Sequence, residues 1–124
     1  MLPASQRLRR STDFAHTTRS GIRCKSGVIV LHALLSHNDV GAVNSGATAP
    51  PRVGVVVNKA VGNAVQRHRV ARRIRHAMRE FIPQINNEAL IVLRALPGAG
   101  ERSWPLLIAD LHAVLSRAGL MAHR

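Results

Sequence analysis

Residues 52–81 read RVGVVVNKAVGNAVQRHRVARRIRHAMREF, and a valine-rich run meets a helical periodicity inside them. Arg52 to Asn58 is a short run dominated by β-branched valine, which reads as a strand. Beyond Gly62 the pattern becomes helical. At about 100° per residue, Val70, Ala71, Ile74, Ala77, Met78 and Phe81 share an arc of roughly 120°, the width of a face packed on a core. Arg69, Arg72, Arg73, His76 and Arg79 fall on the opposite side, with Arg75 on the flank. Arg67 projects towards the apolar side near the N-terminal end, where it can overhang the core edge. Asn63 is the expected N-cap and Gly62 allows a tight entry turn. Pro83 is expected to stop the helix after about 20 residues, roughly 30 Å of length.

The outer face of this helix indicates a partner. Six arginines lie between positions 67 and 79, and Glu80 is the nearest acid. A solvated helix ordinarily mixes Glu with Lys. An arginine comb repels itself unless a polyanion lies against it, and the guanidinium fork matches phosphate in two-point contacts. The composition of the whole chain agrees. Its 124 residues suit one domain, 1–124, and 18 Lys+Arg against 6 Asp+Glu give a formal net charge of +12. Every basic residue except Lys25 and Lys59 is arginine. Nucleic acid is therefore the expected partner. A membrane surface is not expected, because the basic face lacks neighbouring exposed Trp, Phe or Leu. Cys24 is the single cysteine. That excludes an internal disulfide and an all-cysteine zinc site, and it points to a reducing, cytoplasmic setting. Residues 1–10 carry Arg7, Arg9 and Arg10 without an apolar signal-type core, and are expected to form a mobile basic arm. No run reaches the roughly 18 apolar residues that a bilayer span needs.

Outward from the central stretch, a short helix is expected over 11–19. Strands are expected over 22–25, 28–35 and 89–94, the last with the unbroken apolar run of a buried central strand. Residues 37–51 are rich in Gly, Ala, Asn and Pro and read as a flexible loop at a hairpin tip. Ser103 is placed to cap a last helix with Pro105 in its first turn, running to Arg117 and stopped at Gly119. Trp104 reads as packing at that helix start rather than as a base platform. The order of elements defines an α+β domain of two layers.

The residues that usually carry hydrolytic chemistry are scattered. Asp13, Asp39, Glu80, Glu88, Glu101 and Asp110 form no pair at a spacing suited to two magnesium ions. His68 and His76 share the helix eight residues apart, about 80° around its axis, a poor geometry for one metal. No catalytic residue and no protein-held metal site is expected.

The block from Arg52 to Arg75 closely resembles the bacterial ribonuclease P protein component. That family shows a strand RVG, a Lys, and then GNAVxRNRxKRxxR. The resemblance reaches back through Arg7-Leu8 and Asp13-Phe14 to Gly21, and forward through the third strand and last helix. It implies a two-layer fold with a mainly antiparallel four-stranded sheet and a left-handed strand–helix–strand crossover, similar to the second domain of a small-subunit ribosomal protein. It also implies a subunit that assists the catalytic RNA of ribonuclease P in cutting the 5′ leader from precursor tRNA. The RNA and its Mg2+ would carry the chemistry, with one protein per RNA. Carried over position by position, the resemblance assigns Asn63, Arg67, His68, Arg69, Arg72, Arg73 and Arg75 to the catalytic RNA. His68 stands where the family has Asn, and Ala71 where it commonly has Lys. A leader-binding cleft between the first helix and the open sheet face would use Phe14, Lys25, His32 and Lys59. Thr18 stands where the family has a second aromatic, which shifts the weight of leader contact towards the basic residues. Phe14 also fits a plain core position of the first helix.

Two other classes share the basic helix. One is a structural, ribosomal-type RNA-binding protein without a processing role. The other is a DNA-binding regulator using 62–81 as recognition helix, although a strand rather than a short partner helix precedes it.

Overall fold

The computed structural model describes residues 21–35, 51–85 and 89–121. The expected arm over 1–10, the helix over 11–19, Phe14 and loop residues 36–50 lie outside the described residues. The elements run β1 (Ile22–Ser26), β2 (Ile29–Leu35), β3 (Arg52–Val57), α1 (Ala64–Phe81), β4 (Ala89–Ala95) and α2 (Trp104–Arg117). Short 3-10 turns at Lys59–Val61 and Ile82–Gln84 bracket α1. Pro83 sits in the second of these, so the helix proper ends at Phe81 and continues as a tighter turn instead of stopping at the proline.

The four strands form one sheet in the order β1-β2-β4-β3. β1 with β2 and β2 with β4 are antiparallel, whereas β3 with β4 is parallel. A parallel neighbour needs a crossover connection, and α1 supplies it. β4 is central and buried almost throughout, as its unbroken apolar run requires.

Side chains alternate across the sheet, so the register sorts the residues into two faces. Ile29, Leu31 and Ala33 of β2, Val53 of β3, and Ile91, Leu93 and Ala95 of β4 share one face. They pack with Val70, Ile74, Ala77, Met78 and Phe81 of α1 and Leu107, Leu111, Val114 and Leu115 of α2 in a single core. Both described helices therefore cover the same face. Val92 and Leu90 belong to the opposite face and form a smaller apolar cluster with Leu34 and Val56.

Ser26 pairs with Ile29, leaving Gly27-Val28 as a two-residue hairpin turn, so β2 begins one residue later than expected. Gly27 has φ +57°, and a Cβ there would overlap the Asp110 carboxylate. Asp110 is a buried acid of α2, 4 % exposed. Its oxygens accept two hydrogen bonds from Arg102, each of 3.0 Å, and a longer one of 3.4 Å from the Val28 N–H. One carboxylate thus joins the hairpin turn, α2 and the loop before α2. Ser103 caps α2 as expected, its side chain accepting from the Leu106 N–H at 3.4 Å. The far end closes through Gly119: the Leu120 N–H donates to the Leu115 carbonyl and the Gly119 N–H to the Ser116 carbonyl, each at 3.0 Å.

Candidate nucleic-acid interface

The start of α1 is fixed by reciprocal hydrogen bonds. The Asn63 side-chain oxygen accepts from the Gln66 N–H at 2.9 Å, and the Gln66 side-chain oxygen accepts from the Asn63 N–H at 2.8 Å. This is a capping box, which satisfies donors that a helix N-terminus otherwise leaves orphaned. Gly62 has φ +156°, and a Cβ there would collide with the Gln66 side chain, so glycine is required for the box to close. One turn earlier, Asn58 accepts from the Ala60 N–H at 3.0 Å. Asn63 is thus a local structural residue, with its carbonyl oxygen engaged inside the helix start.

Anchoring Val70, Ile74 and Met78 in the core turns the comb outward. His68, Arg69, Arg72, His76 and Arg79 are exposed, while Arg67 and Arg75 are half-buried. Arg67 does overhang the core edge: among the described residues its Nε is a buried atom satisfied by no hydrogen bond. Arg73 also makes contacts within the fold. Its guanidinium donates to the carbonyls of Ala99 at 3.2 Å and Arg102 at 2.8 Å, and sits 5.9 Å from the centroid of the Trp104 ring. It braces α1 against the loop before α2.

Two open grooves run beside the comb and share Arg69 and Arg72 as their divide. One, of about 320 Å³, is lined by Arg69, Arg72, Arg73, His76 and Trp104. The other, of about 390 Å³, is lined by Ala64, Val65, His68, Arg69 and Arg72. Among the described residues no acid lines either groove, while Glu101 lines a smaller adjoining pocket that shares Arg69 and Arg73.

A second cationic cluster lies on the sheet face away from α1 and α2. Arg23 pairs with His32, and Lys25 with Val30, which in turn pairs with Arg94. Register therefore brings Arg23, Lys25, His32 and Arg94 to one face. His32 is 8 % exposed, and among the described residues its Nδ1 and the Arg94 Nε are buried atoms without a hydrogen bond. Burial, followed by the Arg94 and Arg23 charges, lowers the His32 pKa below its ordinary value. Of the expected leader residues, Lys25 and His32 thus come together. Lys59 follows β3, on the sheet edge opposite β1, and joins neither.

Sequence reasoning missed Arg23 and Arg94 here. The alternation of Arg23 with Lys25 along a short strand held the signal for the first. Arg94 required the register of β4 against β2. Among the described residues, no three His, Cys, Asp or Glu side chains gather where they could hold a metal. Among the same residues, no helix is long and apolar enough to cross a membrane.

Fold and surface together define a class, that of small α+β proteins with an arginine-rich helix face exposed on the surface. Within it the chain belongs to the ribonuclease P protein family, whose model, described as Ribonuclease P, matches residues 2–119. It is 48 % identical to the ribonuclease P protein component of Salinispora tropica, covering 95 % of this chain and 93 % of the relative. It is 46 % identical to that of Streptomyces avermitilis, covering 94 % of both. The fold resembles the Staphylococcus aureus RNase P protein with a TM-score of 0.75 at 22 % identity, over 94 % of this chain and 97 % of that one. It also resembles the Thermotoga maritima RNase P protein in complex with 1-(4-fluorophenyl)-2-thiourea, with a TM-score of 0.72 at 22 % identity, over 90 % and 98 % of the two chains.

Proposed function

We propose that this chain is the protein subunit of ribonuclease P and assists the catalytic RNA in removing the 5′ leader from precursor tRNA. The observation that carries the reading is the exposed face of α1. The family motif stands on a helix whose start is locked by a capping box and whose apolar side is anchored in the core. Arg67, Arg69, Arg72 and Arg75 then form a rigid row of phosphate-binding groups with His68 among them. One protein per RNA is the expected stoichiometry.

The leader, a flexible single strand, is assigned to the opposite sheet face. Arg23, Lys25, His32 and Arg94 offer it charge, and Phe14 and Lys59 are carried over from the family motif. A phosphate beside His32 would favour the protonated imidazole, so leader binding there would take up a proton. The chemistry is assigned to the RNA and its Mg2+. The described acids are dispersed, and the one buried among them, Asp110, is consumed by Arg102. The cytoplasm is the expected compartment.

The test is comparative binding. Replacing Arg67 and Arg69 together by Ala should weaken binding to a bacterial ribonuclease P RNA far more than binding to random duplex DNA. Equal losses on the two would refute a specific RNA partner.

A further inference from the structure

Trp104 is the sole tryptophan of a chain that holds two Phe and no Tyr. Phe81 is buried in the core, yet Trp104 stands 37 % exposed at the first position of α2. A tryptophan serving only to pack a helix start would gain more by burying its ring. Instead the ring forms a wall of the groove lined by Arg69, Arg72, Arg73 and His76. The His76 ring lies 5.8 Å away, tilted by 48°. Arg73, held by two backbone carbonyls, fixes the third side. The groove thus combines a π face, a second aromatic ring set at an angle, and exposed guanidinium groups, and among the described residues no carboxylate lines it.

We propose that this groove is a subsite for one unpaired nucleotide of the RNA, the base stacking on Trp104 beside His76 and its phosphate held by Arg69 and Arg72. The argument is complementarity of charge and of surface. Arginines alone would serve a duplex backbone, but an aromatic face is useful only to a base that has left its stack. A paired helix lying on the comb would leave Trp104 with only its contacts to Arg73 and His76. The neighbouring groove past Arg69 and Arg72 extends the same cationic track towards His68, where the chain on one side of the seated nucleotide continues. The subsite rests on the RNA-binding role of α1 proposed above.

Because no other residue of the chain is a Trp or Tyr, its intrinsic fluorescence reports on Trp104 alone. The full chain would be titrated with a bacterial ribonuclease P RNA and, separately, with a fully paired RNA duplex of similar length. Seating of a base predicts saturable quenching and protection from acrylamide with the ribonuclease P RNA but not with the duplex. Trp104→Phe should retain RNA affinity within roughly threefold, whereas Trp104→Leu should lose roughly 5- to 100-fold, the worth of one base–aromatic stack. Unchanged fluorescence with tight binding, or equal quenching by the duplex, would overturn the subsite while leaving the α1 interface intact. Failure of the wild-type chain to prefer the ribonuclease P RNA over the duplex would overturn the interface itself. Since the wild-type fluorescence decides the matter, an unfolded Trp104→Leu chain does not obscure it.

Discussion

Arg102 grips Asp110 through two 3.0 Å hydrogen bonds, and the same carboxylate accepts from the Val28 N–H across the hairpin turn. In a chain with formal net charge +12, this arginine is spent on architecture. Hydrogen bonding to Asp110 also raises the Arg102 pKa, so the pair does not open by titration of the guanidinium in any ordinary buffer. Asp110→Ala should lower the thermal midpoint by roughly 5–15 °C, since it strands Arg102 and the Val28 N–H together. Gly27→Ala should cost about 1–3 kcal/mol through positive φ and overlap with the carboxylate. Thermal melting of both variants checks this, and an unshifted midpoint would show that the carboxylate does not hold the turn.

The two faces of α1 should separate cleanly by mutation. Ile74 is fully buried, and Ile74→Ala should cost about 2–5 kcal/mol of stability. Its RNA affinity, measured on folded protein, should be near wild type. Arg72→Ala should leave stability within about 0.5 kcal/mol but weaken RNA binding and reduce the salt slope by about one. Affinity measured over a series of salt concentrations reads the difference.

Asn63 tests the division between cap and contact. Asn63→Ala removes the acceptor used by the Gln66 N–H and should cost about 1 kcal/mol. Asn63→Asp and Asn63→Ser keep a capping oxygen and should recover most of that stability. If Asn63→Ser melts like wild type yet binds ribonuclease P RNA poorly, then Asn63 touches RNA in addition to capping.

How legible all this was in the sequence follows from the range of the interactions. The strand–helix pair over 52–81 is legible because a short valine-rich run gives way to a period of 3.6, and the buried residues of the helix are those the arc selects, save that Ala71 is half-buried. Asn63 and Ser103 could be read as caps because capping is local. Arg73 could not be separated from the comb, since its carbonyl partners lie 26 and 29 residues away. Asp110 looked like one acid among six for the same reason, its Val28 partner being 82 residues distant. The cluster of Arg23, His32 and Arg94 depends on strand register. For Trp104 the sequence shows the neighbouring Pro105 and suggests packing, but not the His76 ring 5.8 Å away.

His32 gives a pH dependence with a definite sign. Its folded pKa lies below the ordinary 6.5, so the unfolded chain binds the proton more readily. The stability tied to neutral His32 is fully present above about pH 6.5 and declines as pH falls through the lowered folded value. His32→Gln should flatten that part of the profile between pH 7 and pH 5. Urea unfolding of both proteins at several pH values measures it, and parallel profiles would show that the imidazole is not held neutral. Binding of a 5′ leader should work in the opposite direction: its phosphate favours the protonated imidazole, so binding should strengthen as pH falls.

The most direct measurement is cleavage of a precursor tRNA by a bacterial ribonuclease P RNA at low, near-physiological magnesium, with and without this chain. Strong stimulation of cleavage at the correct 5′ position, with none by the protein alone, is the expected result. An absence of stimulation across several ribonuclease P RNAs, with RNA binding intact, would contradict it and leave a structural RNA-binding protein in its place.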